Sequence, residues 1–145
     1  MSDRTYILDT SAILAYIEDE DGADDVDRIL IEAEAGRANV LISFISLTEL
    51  FYITRREVGE EKALERVQLI RALALRIYES DENINIAAGR LKADHRISLA
   101  DAYIAALCQH HRGVMVHKDP EFEQLASLIR ELRLPYKRQP IDISR

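Results

Sequence analysis

The sequence predicts an α/β fold: a central parallel sheet of four to five strands with helices on both faces. Short apolar runs carry the first half of that prediction. Tyr6-Ile7-Leu8 reads as a strand buried on both faces, Val40-Leu41-Ile42-Ser43 as a second buried strand, Leu75 to Tyr78 as a short edge strand and Val114-Met115-Val116-His117 as the fourth. Longer stretches with apolar residues at helical spacing lie between them, and strands separated by helices pair in parallel. Composition agrees with this. At 145 residues, 48% hydrophobic and 31% charged, the chain suits one globular domain over residues 1–145.

In chain order, the first strand stops on Asp9, and Thr10-Ser11 lead into a helix through Ala12-Ile13-Leu14-Ala15-Tyr16. Glu18-Asp19-Glu20-Asp21 is too irregular for a calcium loop and reads as a solvated turn. A second helix spans roughly Ala23 to Ala35, favoured at its start by Asp24 and Asp25 and ended by Gly36. After the second strand, a helix from about Leu47 places Leu47, Leu50, Phe51, Thr54 and Val58 on one face and stops at Gly59. Another, about Glu61 to Ala74, buries Ala63, Val67, Ile70 and Ala74. The two form an αα-hairpin suited to self-association or a partner.

The third strand is followed by a helix capped at Ser80 or Asp81 and running through Asp94, with Ile84, Ala87, Ala88 and Leu91 inward. Leu99 to about His111 forms the next, burying Leu99, Ala102, Tyr103, Ala106 and Leu107. After the fourth strand, Asp119-Pro120 opens a last helix to about Leu132, Asp suiting the N-cap and Pro the first turn. Pro135 to Ile141 is expected to add an edge strand.

A single cysteine, Cys108, excludes an internal disulfide and suits a reducing cytoplasm. No apolar run is long enough for a bilayer, and Met1-Ser2-Asp3-Arg4 lacks a signal-peptide pattern, so a cytoplasmic protein without membrane contact is expected. The net charge of −7 argues against gripping nucleic acid through bulk electrostatics but not against a metal enzyme whose acids a cation neutralises. Arg55-Arg56, Arg90 with Lys92, and Lys137-Arg138 read as solvated surface.

Four acids are expected at one rim of the sheet. Asp9 ends the first strand, Glu49 lies in the first turn after the second, and Asp119 follows the fourth. Asp101 opens the helix that runs back to feed the fourth strand, so right-handed crossovers bring it to the strands' carboxyl edge. Each also fits a helix cap: Ser46-Leu47-Thr48-Glu49 and Ser98-Leu99-Ala100-Asp101 match the capping box, and Asp9 and Asp119 suit an N-cap. Asp81 follows an edge strand and is assigned to capping alone. Crowded carboxylates repel unless a cation or protons neutralise them, and hard oxygen ligands suit Mg²⁺ or Mn²⁺. Such ions activate water and stabilise the leaving oxygen of a phosphodiester. No Cys or His set has zinc spacing, and no Gly-rich loop resembles a nucleotide cradle.

The ordered set Leu8-Asp9-Thr10-Ser11-Ala12, Thr48-Glu49-Leu50, Ser98-Leu99-Ala100-Asp101-Ala102-Tyr103-Ile104-Ala105-Ala106 and His117-Lys118-Asp119-Pro120-Glu121-Phe122 resembles the PIN domains, specifically VapC-like toxin ribonucleases of toxin–antitoxin pairs. The resemblance covers nearly the whole chain. It implies a three-layer sandwich with strand order 3-2-1-4-5 and a Mg²⁺-dependent endoribonuclease. It carries the catalytic, metal-holding acids onto Asp9, Glu49, Asp101 and Asp119, and a hydroxyl that supports water or phosphate onto Ser11. It implies RNA as substrate, an antitoxin that blocks the site, and a homodimer. The family usually has Thr or Ser where His117 stands. A histidine there is expected either to touch the scissile phosphate or to end the strand with its ring exposed. The rival readings are a PIN-fold binding module whose acids are only caps, and a phosphatase or receiver domain. A haloacid-dehalogenase phosphatase would need an Asp where Ser11 stands, and a receiver would need an acid pair at the first strand's end.

Overall fold

The computed structural model describes residues 4–136. Its sheet has five strands in the order β3-β2-β1-β4-β5, and every neighbouring pair is parallel. β1 spans Arg4–Leu8, β2 Ala38–Ser43, β3 Arg76–Tyr78, β4 Val114–His117 and β5 Arg130–Arg133. Six α-helices connect them: α1 Thr10–Ile17, α2 Ala23–Glu34, α3 Phe44–Val58, α4 Glu60–Ala72, α5 Glu82–Asp94 and α6 Leu99–His111. A 3₁₀ helix, Pro120–Leu125, joins β4 to β5.

The alternation of side chains along each strand divides the core into two layers. Ile7, Leu41 and Met115 face one side, where they pack with Ile104 and Leu107 of α6, Ala88 and Leu91 of α5, and Phe122 and Leu125 of the 3₁₀ helix. Leu8, Val40, Ile42 and Val116 face the other, against Ile13 of α1, Val26 and Leu30 of α2, Leu50 of α3 and Ile70 of α4. Central strands buried on both faces have no room for polar alternation, which is why they read as continuous apolar runs. At Gly113, between α6 and β4, an added Cβ would stand 3.0 Å from Ile7 Cδ1 and 3.2 Å from the Thr5 carbonyl oxygen. The close approach of this turn to β1 therefore leaves little room for a side chain there.

Four expectations need correction. α3 begins at Phe44, capped by Ser43 accepting from the Ile45 N–H. Ser46 is therefore a fully buried helical residue and caps nothing. Leu99 and Val58, expected inside, are 57% and 59% exposed: the inward apolar stripe of α6 starts at Ala102, and Val58 is the last residue of α3 before its cap Gly59. The last helix ends at Leu125, and the segment expected to complete it supplies β5, which pairs with β4 from Val114↔Arg130 to His117↔Arg133. Of the edge strand expected over 135–141, Pro135 and Tyr136 carry no strand structure and residues 137–141 lie outside the described residues.

Candidate metal-binding rim

The register places the carboxyl ends of β1, β2 and β4 side by side, and the chain leaves each of them into a helical start. At the end of β1, the Asp9 N–H donates to Val116 O of β4 at 3.1 Å. The Asp9 side chain caps α1, its Oδ1 accepting the Ala12 N–H at 2.8 Å. Ser11 Oγ lies 2.7 Å from both Asp9 carboxylate oxygens and accepts the Lys118 N–H at 2.8 Å, locking Asp9 to the loop after β4. Asp9 is 2% exposed. Burial, with a further push from the Asp119 charge and opposed by the Ala12 and Ser11 bonds, raises its carboxyl to about 7.

α6 presents Asp101 in its first turn. The cap there is Ser98, whose Oγ accepts the Asp101 N–H at 3.1 Å; Asp101 keeps its carboxylate for the rim. Asp119 caps the 3₁₀ helix by accepting the Glu121 N–H at 2.9 Å. Pro120 at the first position gives that turn its fixed φ, and the fully buried Phe122 and Leu125 hold it against the sheet. Asp101, Asp119 and Glu121 then each offer a carboxylate oxygen within 4.8 Å of the others. Burial first, then the facing Glu121 and Asp119 carboxylates, pushes Asp101 far above the ordinary carboxylate range. Two of these three acids serve no cap, so capping does not account for the cluster.

The sequence-predicted acids are thus brought together unequally. Asp101 and Asp119 meet directly, and Asp9 stands near enough to feel Asp119. Glu49 sits on α3 beside the same rim, but its carboxylate is engaged by Thr10: Thr10 Oγ1 donates to Glu49 Oε1 at 2.6 Å and lies 3.2 Å from Ser46 Oγ. Glu121 was missed. Its signal was an acid two residues beyond the capping Asp119, hidden because an acid at a helix start is ordinary dipole chemistry.

His117 departs from both expectations for it. Its ring is 0% exposed, so it neither contacts a phosphate nor ends the strand in solvent. Nδ1 accepts the Asp119 N–H at 3.1 Å, which makes Nε2 the protonated nitrogen, and Nε2 is 2.9 Å from Glu131 Oε1. Lys118 is also drawn inward, its Nζ donating to Asp21 O at 2.8 Å, so the acidic turn after α1 clamps the β4 loop. The sole cysteine lies in the core, its Sγ 3.2 Å from Gly113 O, and burial pushes the thiol up to about 12. A concavity of about 800 Å³, lined by Arg4, His111, Arg112 and Arg130 among others, lies at the opposite, amino-end edge of the sheet.

The donor set fits a hard divalent cation. All three clustered groups are carboxylates, the ligand type that Mg²⁺ and Mn²⁺ prefer. The burial and mutual repulsion that raise Asp9 and Asp101 are what a cation between the acids would relieve.

Among known proteins, the sequence profile of the PIN domain matches residues 6–128. Comparison with curated proteins finds no match. The fold is shared with VapBC2 from Rickettsia felis bound to a promoter DNA fragment (TM-score 0.73, 18% identity, 90% of this chain and 99% of that one). It is also shared with DNA-bound VapBC from Salmonella typhimurium (0.72, 22%, 90% and 98%). A third is Mycobacterium tuberculosis VapC20, a sarcin-ricin loop cleaving toxin (0.67, 17%, 88% and 98%).

Proposed function

Because the chain belongs to the PIN domain family, we propose that it is a VapC-like, Mg²⁺- or Mn²⁺-dependent endoribonuclease that hydrolyses RNA phosphodiester bonds at the acidic rim. The observation that carries this reading is the convergence of Asp101, Asp119 and Glu121 beside Asp9, two of the clustered acids having no capping duty. Asp9, Asp101, Asp119 and Glu121 would hold the cation, with Glu49 completing the acidic site. When bound, the cation supplies a water made nucleophilic near neutral pH and charge stabilisation for the phosphodiester.

The chain's own residues do the positioning. Ser11 spends its proton on Asp9 and a lone pair on the Lys118 amide, fixing the Asp9 carboxylate and leaving the hydroxyl at the rim beside water or phosphate. Thr10 aims Glu49 from α1 across to α3. Arg96 is exposed in the turn before α6, and its backbone pairs with Gln124, whose Nε2 also donates to Glu121 O. The Arg96 backbone is thereby tied to the turn that carries Glu121, and we assign its side chain to holding the RNA backbone without reading bases.

The same reading implies an antitoxin partner that inserts a basic side chain among the acids. The groove of about 390 Å³ between α3 and α4, lined by Phe44, Leu47, Phe51, Tyr52 and Val67 among others, suits an apolar helix from such a partner. Exposed Val58, Leu64 and Leu69 on the same hairpin support a homodimer. Among the described residues no helix is long and apolar enough to cross a membrane.

Partner-free protein incubated with mixed structured and single-stranded RNAs is expected to cut in Mn²⁺ or Mg²⁺, to stop in chelator, and to lose cutting with Asp101→Asn. Folded wild-type protein that neither cuts nor binds Mn²⁺ would sink the enzyme reading and return the acids to capping.

A further inference from the structure

Asp119 is the only member of the acid cluster carried on a non-helical loop residue, between the end of β4 and a short 3₁₀ helix. Its placement therefore needs a tether, and the tether is the buried ring of His117. Nδ1 accepts the Asp119 N–H at 3.1 Å, closing a local turn as an Asx or Ser/Thr side chain would. Nε2 is anchored 2.9 Å away on Glu131 Oε1, and Glu131 in turn takes Arg133 Nη2 at 3.2 Å on its other oxygen. Glu131 and Arg133 belong to β5, and the Phe122 ring lies 5.1 Å from the imidazole. One continuous set of contacts thus runs from the edge strand to the acid that faces Asp101.

We propose that His117 is a positioning residue: it fixes Asp119 for cation binding through the Asp119 amide, with Glu131 as its anchor. The ring is fully enclosed, so it touches neither cation nor RNA, and its effect passes through Asp119 alone. The inference depends on the reading of the rim as a cation site. A group that orients a metal-holding carboxylate commonly governs affinity about 10- to 100-fold.

The test compares His117→Leu, which removes both ring bonds, with His117→Asn, whose side-chain oxygen can again accept the Asp119 N–H. Glu131→Leu removes only the anchor. Folding is checked by thermal melting, Mn²⁺ affinity by calorimetry, the Asp119 amide by ¹⁵N NMR, and RNA cleavage by kcat and KM separately. His117→Leu should weaken Mn²⁺ binding about 10-fold or more, shift the Asp119 amide, and lower kcat with KM unchanged. His117→Asn should recover most of that loss, and Glu131→Leu should lie between. Should His117→Leu fail to fold, the Asn and Glu131 variants decide: equal Mn²⁺ affinity in wild type and Glu131→Leu overturns the proposal. So does a folded His117→Leu with wild-type Mn²⁺ affinity, or an Asn variant no better than Leu. Wild type that binds no Mn²⁺, while its Asp119 amide still responds to His117→Leu, overturns the cation-site reading and leaves the tether standing.

Discussion

Asp101 concentrates the chemistry of the rim at the level of single residues. It is 7% exposed and faces two further carboxylates. A buried acid in that setting costs stability whenever it is ionised without a counter-charge. Above the unfolded carboxyl range Asp101 instead keeps a proton that it would lose on unfolding, which also costs stability, and Asn keeps the shape while removing that cost. Asp101→Asn is therefore expected to raise the melting temperature of the cation-free protein by a few degrees, corresponding to roughly 1 kcal/mol. The same variant should lose the stabilisation that Mn²⁺ gives wild type, since a ligand that binds only the folded state adds to its stability. Melting curves with and without Mn²⁺ check both. An Asp101→Asn protein that melts earlier than wild type without cation, or is stabilised equally by Mn²⁺, contradicts this account. Asp9, Asp101 and Asp119 were legible because strand ends and helix starts are readable from apolar pattern and capping residues. Glu121 and the role of His117 were not. Both depend on a 3₁₀ turn and a fifth strand whose positions follow from tertiary packing.

The strongest pattern lay in the central elements. β1, β2 and β4 carry continuous apolar runs, and α6 was placed at its observed ends because Ser98 precedes it and Gly113 breaks it. The end of the chain was harder. Phe122 and Leu125 stand three residues apart, a spacing that α and 3₁₀ turns share. Beyond them Glu131-Leu132-Arg133 looks helix-prone, with no β-branched or aromatic residue. The pairing of β5 with β4 overrides that propensity: the Leu134 N–H donates to His117 O at 2.8 Å, and Leu134 is 2% exposed. Leu134 packs onto Gly22, the cap of α2, where φ is +98° and an added Cβ would stand 3.0 Å from Leu134 Cβ. Gly22→Ala should cost at least about 1–2 kcal/mol from backbone strain, with the Leu134 contact adding to it. Denaturant titration checks this. A loss below about 0.5 kcal/mol, within the ordinary range of surface changes, would contradict the placement of the chain after β5.

For the molecule as a whole, topology explains why distant residues meet. Parallel strands with right-handed crossovers send every strand's carboxyl end to one edge, and α6 starts at that edge with Asp101 in its first turn before running back to β4. The sheet order was legible through the family resemblance and is the order observed. The contact between Thr10 and Glu49 was not legible, because side-chain partners on different helices are not encoded in spacing. That contact holds Glu49 at the edge of the rim, and the adjacent Thr48 lines the α3–α4 groove. A partner that inserts a basic side chain among the acids while laying a helix in the groove should therefore be repelled by Glu49→Arg. Co-purification of the proposed antitoxin partner, co-expressed with the protein, is expected to fall at least about tenfold, the scale of an unfavourable charge at an interface. Undiminished binding would argue against insertion at the acids.

The central claim is that the acids at the carboxyl edge hold a divalent cation. Its most direct test is anomalous diffraction from crystals of the protein grown or soaked with Mn²⁺. The account predicts a Mn²⁺ peak among Asp101, Asp119 and Glu121, adjoining Asp9, that disappears in Asp101→Asn. A Mn²⁺ peak elsewhere in a protein that cleaves RNA, or no peak at saturating Mn²⁺, would contradict it.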